Sequence, residues 1–85
     1  GSVILTDADW QRFRLLFEQV HPGFFEHLRL ACPDLTPAEV RLLALSKLGI
    51  SLRDMALMLG VSVESIHKGR YRLRRKLEPL ASLPG

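Results

Sequence analysis

The sequence predicts a small all-α domain, and three observations carry that prediction. Apolar residues recur at spacings of three and four in the long segments, capping residues open most of those segments, and no stretch alternates with the period of two that marks a strand. With 85 residues the chain holds a single compact core, since domains of this size bury only about 60–65% of the surface their unfolded chains expose. At 47% hydrophobic and 25% charged residues, it lies far from the weakly hydrophobic, highly charged sequences that stay disordered.

The first helix runs from Thr6 to Val20. Trp10, Phe13, Leu16, Phe17 and Val20 keep the helical period, Thr6 is the N-cap, Asp7 and Asp9 complement the dipole, and Pro22-Gly23 ends the segment. A shorter second helix places Phe24, Phe25, Leu28 and Cys32 on one face before Pro33 and Asp34 interrupt it. Thr36-Pro37-Ala38-Glu39 is a capping box, with proline at the first helical position where no donor is lost. The third helix that follows carries Val40, Leu43, Ala44, Leu45 and Leu48, with Gly49 as its C′ residue. Ser51 caps a fourth helix of about two turns, with Asp54 at N3, Met55, Ala56 and Leu59 inward, and Gly60 as its stop. After the Gly60-Val61-Ser62 turn, Ser62 caps a fifth helix spanning residues 63–77. Val63, Ile66, Leu73 and Leu77 form its apolar stripe, and Glu78-Pro79 limits it. Gly69 inside this helix costs about 1 kcal/mol relative to alanine and points to the close approach of another helix.

The net charge of +3 is unevenly spread. Residues 1–35 carry three arginines against five acids, and residues 36–61 are close to neutral. Residues 62–85 hold Lys68, Arg70, Arg72, Arg74, Arg75 and Lys76 against Glu64 and Glu78. A basic stripe on one helix predicts a polyanion partner when the structural context agrees. That context is a short helix, a three-residue turn with glycine and a second, basic helix, which together make a helix-turn-helix.

Leu35-Thr36-Pro37-Ala38-Glu39, then Ile50-Ser51-Leu52-Arg53-Asp54-Met55-Ala56, and then Ile66 through Leu77 with its closing Arg75-Lys76-Leu77 resemble the LuxR/GerE-type DNA-binding domain, over about half of the chain. The resemblance implies the effector domain of a bacterial transcription regulator, acting in signal transduction in the cytoplasm. Its fifth helix would lie in the major groove of double-stranded DNA, usually as a dimer. On this reading residues 36–80 are the helix-turn-helix domain, residues 81–85 a tail and residues 1–35 a helical extension, which looks similar to the segment before this domain in some long sensor-regulators. Gly1-Ser2 read as an expression scar on a piece of a longer protein. The family's further dimerisation helix does not fit in the eight residues after Leu77. A homodimer would then form through Val3, Ile4, Leu5, Trp10 and Phe17 of the extension or through the parent protein, the alternative being that the aromatic residues cap the local core.

Glu64, His67, Lys68 and Tyr71 lie opposite the apolar stripe in the N-terminal half of the helix. The resemblance implies that the positions of His67, Lys68 and Tyr71 face bases. Chemically, Lys68 suits guanine O6 or N7, Glu64 suits cytosine N4, His67 can donate to an acceptor, and Tyr71 offers a ring to a thymine methyl. Ser62, Ser65, Arg70, Arg72, Arg74 and Arg75 are the phosphate-contact candidates, with some arginines pairing instead with Glu39 or Asp54. Two other readings remain: a sigma-factor region 4-like promoter-recognition module, and a protein-interaction module built on the N-terminal aromatic residues. Catalysis and cofactors are not expected, because His21, His27, His67 and Cys32 have neither metal-ligand spacing nor a nucleophile-base arrangement and no glycine-rich phosphate loop is present. A lone cysteine fits a reducing compartment, and no apolar run approaches the roughly 18 residues of a membrane span.

Overall fold

The structure, a computed structural model, describes residues 5–81 as five helices and no strand. They are α1 (Asp7–Val20), α2 (Phe24–Ala31), α3 (Pro37–Lys47), α4 (Leu52–Leu59) and α5 (Val63–Ala81). The expectations for Val3, Ile4 and residues 82–85 lie outside the described residues.

Local chemistry sets the helix starts. At α1 the Thr6 hydroxyl accepts from the Asp9 amide at 3.1 Å, and the Asp9 carboxylate accepts from the Thr6 amide at 3.1 Å. This is a complete capping box with aspartate at N3, which the sequence had signalled only as an N-cap. The hydrogen bond from the Thr6 amide is the main cause holding the Asp9 carboxyl below the ordinary carboxylate range. At α3 the Thr36 hydroxyl accepts from Glu39 at 3.2 Å, and the Glu39 carboxylate accepts from the Thr36 amide at 2.9 Å. Ser51 caps α4 by accepting from the Asp54 amide at 3.1 Å.

Helix α3 is the centre of the packing, buried from two sides. Its Ala44 joins Trp10, Phe17 and Phe25 in one core cluster, while Leu42 and Leu45 join Met55, Ala56 and Ile66 in another; Phe13 packs against both. Burial from two sides explains why the periodicity misassigned α3: Leu42 is buried where Leu43 was expected, Leu43 is half-buried, and Leu48 is exposed. Leu16 and Val20 of α1 also prove exposed. Leu16 lies about 100° round the helix from Phe17. The Phe17 ring itself is enclosed by Phe24 and Phe25, at centroid distances of 4.9 and 5.3 Å, and by His21.

Residues 5–35 are therefore packed on the rest of the chain, with Trp10 and Phe17 inside the core. The Leu5 amide donates to the Met58 carbonyl of α4 at 2.8 Å, a further tie between the N-terminal segment and the later helices. At the other end, α5 does not stop at Leu77 but runs through Pro79 to Ala81. Proline removes one amide, whose intrahelical partner would be the Arg75 carbonyl. So close to the helix end, one unmade bond does not halt the last turn.

Candidate nucleic-acid interface

Two short-range choices fix how α5 leaves α4. Gly60 closes α4 with φ 69° and ψ 33°, a left-handed conformation that costs an ordinary L-residue roughly 1–2 kcal/mol. Its neighbour Val61 then donates to the Ala56 carbonyl at 3.0 Å, so the chain reverses within three residues. Ser62 restarts the helix by accepting from the Ser65 amide at 3.0 Å. The shared core beneath the turn is Met55, Ala56 and Ile66, with Leu59 packed against it.

The inner face of α5 is held against α3 at two points. Gly69 is buried, and a Cβ built on it would lie 3.1 Å from Leu42 Cδ2, so glycine sets the closeness of the two helices as its position in the sequence had suggested. About two turns further on, Lys76 Nζ donates to the Glu39 carboxylate at 2.7 Å and to the Asp34 carbonyl at 3.0 Å. Glu39 is 5% exposed. Burial alone would raise its carboxyl, but the hydrogen bonds from Lys76 and Thr36 outweigh that and hold it below the ordinary range. The expectation that an arginine pairs with Glu39 is thus corrected: lysine fits because its single ammonium reaches both oxygens across the narrow gap. The sequence offers Glu39 as a capping residue and as a partner for an arginine of α5, and nothing in its spacing singles out Lys76.

Opposite this inner face, Glu64, Lys68, Tyr71 and Arg75 follow one another at spacings of three and four and are all exposed. Ion pairs along this ridge are loose. Lys68 Nζ lies 3.4 Å from Glu64, and Arg75 donates to the Tyr71 hydroxyl at 3.2 Å and sits 3.8 Å from Glu78. Exposed pairs of this kind contribute little, so these side chains are available to a partner. His67, Arg72 and Arg74 are exposed alongside the ridge. Arg70 departs from the group: it is half-buried and lines a cleft with Leu43, Ser46 and Leu73, on the α3 side of the helix.

The serines divide their work. The Ser62 hydroxyl oxygen caps α5 and donates its proton to Ser65 Oγ at 3.0 Å, which leaves the Ser65 proton to turn outward. Beside them the first amides of α5 have no intrahelical acceptor, as at every helix start, and the positive end of the helix dipole lies there. Together these groups suit a phosphate oxygen.

Among the described residues, no group of three His, Cys, Asp or Glu side chains comes together that could hold a metal ion, and no helix is long and apolar enough to cross a membrane. No protein-family model, no curated protein and no solved structure matches the chain.

Proposed function

We propose that the chain binds double-stranded DNA sequence-specifically as a helix-turn-helix effector domain of the LuxR/GerE type, with α5 in the major groove. The observation that carries this reading is the outward ridge of α5. Glu64, His67, Lys68 and Tyr71 stand exposed on the two turns after the Ser62 cap, opposite the buried Ile66, Gly69 and Leu73. A helix of 19 residues is about 28 Å long. Its first turns fill a groove about 12 Å wide, and its later turns run beside the phosphates. Lys68 and Glu64 are placed for base edges, Ser65 and the α5 amides for one phosphate, and Arg72, Arg74 and Arg75 for the flanking backbone. Arg70 is the weakest of the phosphate candidates, because its side chain turns toward α3.

Fluorescence anisotropy with a labelled duplex, run at several salt concentrations, tests the proposal. Neutralisation of about three phosphates by Arg72, Arg74 and Arg75 predicts that log affinity falls with log salt at a slope of about −2.7. A Lys68→Ala, Arg72→Ala double variant should bind more weakly and, through the lost Arg72 phosphate contact, flatten that slope by about 1. Binding that is absent at low salt, or is unchanged in the variant, would overturn the assignment of α5.

A further inference from the structure

A cleft of about 480 Å³ lies away from the α5 ridge, between α1, α2 and the start of α3. Its apolar lining comes from Trp10, Phe25, Leu28 and Val40, and its polar rim carries the guanidinium groups of Arg14 and Arg41. The volume falls within the roughly 300–1,000 Å³ of ordinary small-molecule sites, and an apolar lining with a few convergent polar groups is their usual chemistry.

Both arginines are held over aromatic rings, with incomplete hydrogen bonding. The Arg14 guanidinium sits 4.4 Å from the Phe25 ring centroid and that of Arg41 sits 5.2 Å from the Trp10 centroid. Arg41 Nε is buried and has no hydrogen-bond partner, the one such side-chain atom among the described residues. Among the described residues its carboxylate neighbour is Asp7, at 3.5 Å from Nη2, and the Asp7 side chain is almost fully exposed. A buried donor without an acceptor is costly, and in a folded protein it calls for an explanation. The third arginine of the cleft, Arg29, is already engaged by Glu26 at 2.6 Å and leaves the other two as the charge to be matched.

We propose that this cleft binds a small amphipathic carboxylate, its aromatic or branched body against Trp10 and Phe25 and its anion between Arg14 and Arg41. A carboxylate approaching Arg41 side-on takes Nε together with Nη2 in the two-point geometry that guanidinium favours. Doing so draws the guanidinium off the Trp10 ring and replaces the long contact with Asp7. The body of the ligand lies along the apolar lining of the cleft, and the net effect is a site selective for one negative charge on a hydrophobic frame.

Trp10 is the only tryptophan of the chain, so its fluorescence reports on the cleft directly. The full chain is titrated with 4-phenylbutyrate and, separately, with the neutral 4-phenylbutanamide, and amide shifts in a ¹H–¹⁵N correlation spectrum locate the binding. The carboxylate should give a saturable change at Trp10, with shifts centred on Trp10, Leu28 and Val40, and should bind about tenfold or more tighter than the amide. Arg41→Gln and Arg14→Gln should each weaken the carboxylate several-fold without affecting the amide, whereas Asp7→Asn should tighten it. Circular dichroism checks each variant; if Arg41→Gln fails to fold, Arg14→Gln and Asp7→Asn decide. Equal binding of carboxylate and amide, insensitivity to both remaining variants, or no spectral change at several millimolar ligand would overturn the proposal. DNA binding is read separately on the same samples, so failure of one assignment is distinguishable from failure of the other.

Discussion

Glu39→Gln isolates the interaction that ties α5 to the start of α3. Glutamine keeps an oxygen to accept from the Thr36 amide, so the capping box survives and only the charge facing Lys76 is lost. Removing one member of a buried ion pair costs about 3–5 kcal/mol when the other is stranded. Lys76 is not stranded: it keeps the Asp34 carbonyl at 3.0 Å, and a third of its side chain remains exposed. The oxygen that accepts from Thr36 is also the one that accepts from Lys76, so the expected cost is about 1–2 kcal/mol, the charge assistance lost when that acceptor is no longer a carboxylate. Glu39→Ala also gives up the bond to the Thr36 amide, a further loss of about 1 kcal/mol. At about 4–8 °C per kcal/mol for a domain of this size, Glu39→Gln should melt about 4–16 °C below the parent and Glu39→Ala lower still. Thermal and urea unfolding followed by circular dichroism at neutral pH measure both. Because the Glu39 carboxyl is held below its ordinary range, its contribution is full above that range and disappears as pH falls through the folded value. The gap between parent and Glu39→Gln should thus close below about pH 4. A double-mutant cycle with Lys76→Met should give a coupling of about 1 kcal/mol or more. Additive single effects, or a gap independent of pH, would refute the account of this anchor.

Other substitutions probe the turn and the two cores. Gly60→Val places a β-branched residue at φ 69° and should cost at least about 2 kcal/mol by urea unfolding. Gly69→Leu forces three carbons past a Cβ position already 3.1 Å from Leu42; it should destabilise by about 2–3 kcal/mol in urea unfolding and, on the proposed function, weaken DNA binding read by anisotropy. Phe17→Ala should cost about 3–5 kcal/mol, while Leu16→Ala next to it stays near 0.5 kcal/mol, because Phe17 is 3% and Leu16 58% exposed; similar losses in chemical denaturation would contradict the packing of α1.

What the sequence reveals here is mostly local. The caps at Thr6, Thr36, Ser51 and Ser62 and the stop at Gly60 depend on a few neighbouring residues, and all reappear in the structure. The apolar stripe of α5 is legible in its buried part, Ile66 and Leu73, because that helix has one packed face. Val63, from the same stripe, lies before the contact with α3 and is exposed. Periodicity fails for α3, which contacts neighbours on two sides and so has no single inward face to mark. The pairing of Lys76 with Glu39 spans 37 positions, and no local pattern encodes which of six basic residues will be drawn inward. The same holds for Arg14 and Arg41, unremarkable in sequence, which the fold brings to the rim of one cleft.

The N-terminal helices bear on α5 without touching its outward ridge. Helix α3 presents Glu39 and Leu42 to α5, and the Asp34 carbonyl and the Cys32 thiol, both before α3, complete the contacts at Lys76. On its other side Ala44 is wholly buried with Trp10, Phe17 and Phe25, and Val40 packs against the same cluster. Removing α1 and α2 would open that side of α3 to water while leaving every residue of α4 and α5 in place. The position of α5 relative to α4 is set locally by Gly60 and Ser62, but its position relative to α3 depends on a helix whose core contacts are shared with the extension. Residues 5–35 therefore act as structural support for the α5 surface, and a change in how they pack would reach that surface through α3 and through the contacts of Cys32 and Asp34 with Lys76.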